Sequence, residues 1–136
     1  MRVALYALLG VQLLCLRTAL AAEGKFLVEL NSIEPVESRC RLNFVNENKS
    51  NAAVDSMKLD LVVFSSDGGI LRRLLTEMGP ARPLKTIVRA FVIDAECGKI
   101  GSVLVNEVNT CAPGNPDSCL DGLALSSRVK ELRFYK

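Results

Sequence analysis

Short runs in which apolar and polar residues alternate, separated by clusters of turn-forming residues, run the length of the chain. Segment 26–31 predicts a first strand, closed at Glu34 and Pro35, and the next alternation sets Cys40, Leu42 and Phe44 against Arg41 and Asn43. A period of two is the mark of a strand with one buried face. Residues 46–51 are polar and predict a turn, after which Met57, Leu59, Leu61 and Val63 alternate with Lys58 and Asp60. Val62 and Phe64 break that alternation, so the end of this strand is expected to be covered on both faces, as in the middle of a sheet. Ser65, Ser66, Asp67, Gly68 and Gly69 then supply residues that tolerate positive φ, which predicts a hairpin leading into a strand near Ile70.

Segment 70–78 carries two readings. Ile70, Leu71, Leu74, Leu75 and Met78 share one face of a helix, with Arg72, Arg73 and Glu77 opposite. The preceding turn, and Gly79-Pro80 closing the stretch after a length marginal for a helix, favour a strand. Thr86, Val88, Ala90 and Val92 next alternate with Lys85, Ile87 and Arg89, and a β-branched stretch follows at 100–108. The last segment, 123–135, carries Arg128, Lys130, Glu131 and Arg133, charges that suit an edge strand resisting the addition of another chain. Seven short runs, with no strand–helix alternation and no internal repeat, predict an all-β fold, an antiparallel immunoglobulin-like β-sandwich of about seven strands.

Composition changes this picture at the N-terminus. Met1 and Arg2 precede an apolar run from Val3 to Leu16, broken only by Gln12, and then Ala19, Leu20, Ala21 and Ala22. That layout predicts a secretory signal peptide, with cleavage after Ala21 or, next best, after Ala22. Arg17 stops the run short of the ~20 residues that a membrane span needs. The expected organisation is a signal peptide at 1–21 and one domain at 22–136, periplasmic or secreted, with no integral membrane span in the mature chain. Cys15 is then discarded with the leader. Removing Arg2 and Arg17 leaves 15 cations against 15 acids, so the formal +2 belongs to the leader and no basic stripe points to nucleic acid.

An apolar fraction of 49% and a charged fraction of 24% suit a 136-residue chain with one core. With no histidine and no tryptophan, catalysis through a histidine base and histidine-ligated metal centres are excluded. Export makes cysteine structural: Cys40, Cys97, Cys111 and Cys119 are an even set in a small domain, and no C-x-x-C pair suggests a redox or metal use. Three pairings are open to four cysteines. Pro113, Gly114, Asn115, Pro116 and Asp117 lie between Cys111 and Cys119 and favour local closure there, which leaves Cys40 to Cys97.

Some of these residues resemble a known group. Phe44-Val45-Asn46-Glu47-Asn48 after Cys40, the run 59–64 leading to Asp67-Gly68, and Gly101 to Asn109 ending at Cys111 are similar to small exported alphaproteobacterial proteins of immunoglobulin-like type. The hairpin at Asp67-Gly68 more distantly resembles FxLYD-type modules of bacterial envelopes. The resemblance implies a periplasmic β-sandwich. That group is commonly labelled for twin-arginine export, whereas this leader has the single Arg2.

Candidate chemistry is sparse. Asp94 and Glu96 are either paired carboxylates for acid–base work or solvated loop charges. Asn106, Glu107 and Asn109 offer oxygen ligands, although strand alternation is expected to send Asn106 and Glu107 to opposite faces. Asn48-Lys49-Ser50 fits the N-glycosylation pattern. Ser126 and Ser127 have no base to activate them, and Arg72-Arg73 reads as a docking or processing site or as exposed hairpin charge. No cofactor is implied. The Cys111 to Cys119 loop is the main interaction candidate, because a closed, proline-containing loop loses little entropy on docking. The expected function is a non-enzymatic binding or accessory domain contacting another envelope protein. A carboxylate-based cation-binding protein or enzyme and a secreted inhibitor presenting the Cys111 to Cys119 loop are the alternatives.

Overall fold

A computed structural model describes residues 25–136, so the expected signal peptide and Cys15 lie outside the described residues. The described chain forms eight strands: β1 (Phe26–Val36), β2 (Arg39–Asn48), β3 (Ser56–Ser65), β4 (Ile70–Glu77), β5 (Thr86–Ile93), β6 (Ile100–Ala112), β7 (Leu123–Ser127) and β8 (Arg133–Tyr135), with one short helix α1 (Pro116–Asp121). They build two four-stranded sheets, in the orders β5-β2-β1-β7 and β4-β3-β6-β8, stacked as a sandwich.

The expected all-β sandwich is present, with two corrections to its topology. The terminal segment 123–135 is two strands, one on the edge of each sheet, and both edges are parallel: β7 runs with β1 and β8 with β6. Hairpins make antiparallel neighbours, but β7 is reached from the opposite sheet through α1 and β8 is reached by crossing back, so neither is bound to the hairpin direction. Segment 70–78 resolves as a strand, paired to β3 through the Ser65–Gly69 turn, where Gly68 takes φ 92° and Ser65 N–H donates to Gly69 O at 2.8 Å.

Strand β1 runs through Pro35, where it was expected to close. Its pairing with β7 ends at Leu30, leaving one side open beyond that point, and an open side tolerates a residue without an N–H. The core comes from alternate positions: Phe26, Val28 and Leu30 on β1, Leu42 and Phe44 on β2, and Leu59, Leu61 and Val63 on β3 are all buried. Phe44 ties the layers together, its ring 5.5 Å from Phe134 of the facing sheet and 6.0 Å from Phe91. Val62 is also buried but Phe64 only half-buried, so the cover expected on both faces at the end of β3 reaches Val62 and not Phe64.

Strand β2 continues where a turn was expected. The alternation that begins at Cys40 stays in phase through Asn46 and Asn48, which are 0% and 1% exposed. In β5 the phase is the reverse of the apolar run seen in the sequence: Val88 and Val92 face solvent at 62% and 43%, while Ile87, Phe91 and Ile93 turn to the core.

Both disulfides have the expected pairing, Cys40 with Cys97 and Cys111 with Cys119. The first joins β2 to the single turn at Cys97–Lys99, through which the chain leaves β5 and enters the other sheet. The second joins the end of β6 to α1.

Candidate functional site

The Cys111 to Cys119 segment is a small lobe with internal order. Asn115 caps α1, its side-chain oxygen accepting from Ser118 N–H at 2.9 Å, and Pro116 occupies the first turn where its missing N–H is no loss. At the other end Lys136 Nζ donates to Leu120 O and Leu123 O at 2.5 and 2.6 Å. The expected disulfide-closed loop is thus present, with a capped helix from Pro116 onward. Pro113, Gly114, Asn115, Pro116 and Asp117 are all exposed.

A cleft of about 690 Å³ separates this lobe from the 49–54 loop, with Phe26, Val54, Met57 and the disulfide among its walls and Lys25 at its rim. The opposing loop is held by Asn48, whose amide donates to the carbonyls of Ala52, Ala81 and Arg82 at 2.8, 3.1 and 3.1 Å. Its oxygen accepts from Ser50 N–H and Oγ at 3.0 and 2.8 Å. An amide so engaged, and buried, leaves the folded domain no room for a glycan at the Asn48-Lys49-Ser50 pattern.

Among the acidic candidates, Asp94 pairs with Arg72 at 3.0 Å and Glu96 with Lys99 at 3.0 Å; both line one surface hollow beside Ser38 and Leu71, where each carboxylate is matched by its own cation. Arg73 is likewise taken up by Asp60. Asn106 and Glu107 are both exposed, against the expected split between faces, because β6 bulges opposite Asp60 and Leu61 and places two residues where one was expected. Asn106 donates its amide to Asp60 at 2.8 Å, and among the described residues no group of three acidic or cysteine side chains is placed to hold a metal ion. Ser127 Oγ contacts the backbone of Val129 in a local turn.

Four polar residues of structural weight went unnoticed in the sequence. Asn46 donates to Met78 O at 2.9 Å, and Thr76 to Leu59 O at 3.2 Å, both buried. Glu77 accepts from Ser56 Oγ at 2.6 Å and from the N–H groups of Met57 and Gly79 at 2.8 Å. Burial acts to raise its pKa, but those three donors and the Lys58 charge outweigh burial and hold the carboxyl below its usual range. Asp60 meets Arg73 in two contacts, and that hydrogen bonding, set against burial, keeps its carboxyl low as well. The unbroken phase from Cys40 to Asn48 was the signal available for Asn46; for Asp60 and Glu77 the sequence carries none.

Fold and site together define a β-sandwich domain stapled by two disulfides, with a capped lobe beside a partly apolar cleft. No protein-family model, curated protein or solved structure matches the chain. No helix among the described residues is long and apolar enough to cross a membrane.

Proposed function

We propose that the chain is a non-enzymatic exported domain, periplasmic or secreted, that contacts another envelope protein. The observation that carries this reading is the Cys111–Cys119 lobe: an exposed, cross-linked, helix-capped segment beside an open cleft is ordered before it binds, and so sacrifices little entropy on docking. Two disulfides accord with an oxidising compartment. Asp94, Glu96, Asp60 and Glu77 are each engaged in bonds within the domain, which favours a binding role over carboxylate chemistry. For an inhibitor, the helical Pro116–Asp121 is a poor substitute for an extended loop inserted into a protease. Kinship with exported immunoglobulin-like modules is part of the same proposal. Cross-linking in the native envelope followed by recovery of the chain is the test. A reproducible protein partner, lost when Cys111 and Cys119 are both changed to Ala, supports the reading; consistent recovery of the chain alone overturns it.

A further inference from the structure

The large apolar side chains that stand exposed among the described residues are unevenly placed. Ile70 (69%), Leu75 (56%), Leu84 (70%), Val88 (62%) and Val92 (43%) all belong to β4, β5 or the segment joining them. These elements form one lateral side of the sandwich: Arg72 of β4 reaches Asp94 beyond the end of β5, and Arg89 of β5 donates to Gly79 O at 2.7 and 3.2 Å. Leu84 takes the left-handed conformation at φ 55° while its side chain is displayed to water, an arrangement that neither backbone preference nor burial rewards.

The same side is positively charged. Between Ile70 and Ile93 stand five cations, Arg72, Arg73, Arg82, Lys85 and Arg89, and one acid, Glu77, whose carboxylate is already held by Ser56, Met57 and Gly79. Arg72 and Arg73 are neutralised by Asp94 and Asp60; Arg82, Lys85 and Arg89 have no ion-pair partner among the described residues.

The four sheet edges are not equivalent. β7 and β8 are 5 and 3 residues long, too short to template much pairing, and β4 is interrupted by a register shift against β3. β5 is 8 residues long, pairs with β2 without a shift from Thr86 to Ile93, and has no strand on its other side. Arg89, the inward-facing charge that would guard such an edge, is drawn off to Gly79 O.

We propose that the open edge of β5 receives an extended segment of a partner protein in which apolar residues alternate with Asp or Glu. The partner's backbone extends the β5-β2-β1-β7 sheet, its apolar residues rest on Val88 and Val92, and its carboxylates meet Arg82 and Lys85. A second copy of this chain is a poor occupant, because it would bring the same cations face to face. The inference rests on the reading above only in taking the partner to be a protein, and it adds a surface separate from the lobe.

The test uses the mature chain with both disulfides formed and two synthetic peptides of about eight residues, one alternating Val with Glu and one alternating Val with Lys. Amide NMR shifts report where each binds. The acidic peptide is expected to shift the amides of β5 and of Arg82 and Lys85, and to weaken as salt is added, while the basic peptide leaves them unmoved. Val88→Glu and Lys85→Glu, both at exposed positions, should each weaken the acidic peptide about tenfold, a loss that an unchanged amide spectrum would separate from unfolding. The proposal is overturned if the acidic peptide does not bind, if it shifts only β4 or the cleft, if the basic peptide binds as well, or if phosphatidylglycerol vesicles bind where the peptide does not. A partner recovered from the envelope and retained by Val88→Glu would sink the edge proposal and leave the binding module standing; a chain recovered alone would overturn the lobe-based reading, and the edge proposal would then stand or fall on binding of the acidic peptide at β5.

Discussion

Arg73 grips Asp60 with two parallel contacts across the outer face of neighbouring strands, Nε to Oδ1 at 2.9 Å and Nη2 to Oδ2 at 2.6 Å. The pair is lopsided in exposure: the Asp60 side chain is 9% exposed and that of Arg73 is 63%. A carboxylate in that setting depends on its partner for solvation. Its pKa lies below the ordinary 3.8, so its contribution to stability is present above that value and is lost as the pH falls through the lower folded value. Asp60→Asn is expected to be less stable than the native chain at neutral pH, with the gap closing in acid. Urea unfolding at neutral pH and below about pH 3 measures this; a gap that stays constant with pH would contradict it.

Asn48 offers a sharper contrast. Its amide is the shared donor for three carbonyls drawn from two loops, so Asn48→Ala should cost about 2–3 kcal/mol. Asn48→Asp should cost more, because a carboxylate would face three carbonyl oxygens in a buried place. The order of the two variants in denaturant midpoint is the readout, with serine at this position expected to fall nearer alanine.

Gly101 opens β6 against the backbone of the β3–β4 turn. A methyl there would lie 2.7 Å from Ser66 Cα and 2.8 Å from Ser65 O, atoms that cannot swing aside as a side chain can. Gly101→Ala is therefore expected to destabilise the fold by about 1–3 kcal/mol. The neighbouring Gly98 meets nothing within 4 Å, and Gly98→Ala serves as the matched control with little expected effect.

The disulfides should differ in weight. Chain entropy assigns ~4 kcal/mol to a bridge spanning Cys40 to Cys97 and ~2.5 kcal/mol to the one spanning Cys111 to Cys119. Paired Cys→Ala variants, unfolded in guanidinium, should reproduce that order. Loss of the shorter bridge should also loosen α1 while the strands persist, seen as faster amide exchange confined to 113–121.

Local chemistry determined much of this protein without help from the rest of the fold. Period-two alternation in β2 and β3 needs only the pleat of an extended chain, the Ser65–Gly69 hairpin only residues at ease with positive φ, and the disulfide pairing only an even cysteine set and a turn-rich loop. The five candidate lobe residues 113–117 were found as an exposed group, although their helix was not. What the tertiary structure alone decided depends on partners far along the chain. Asn46 and Asn48 count as turn residues until the carbonyls of Met78, Ala81 and Arg82 arrive beside them and make their burial tolerable. β5 is apolar on both faces, so its sequence leaves the inward set open; the seat of Phe91 beside Phe44 selects it and leaves Val88 and Val92 outside. Alternation is written into neighbouring residues, but the choice of which face is buried, where a strand bulges and which edge stays open is made by whatever the second sheet brings against the first.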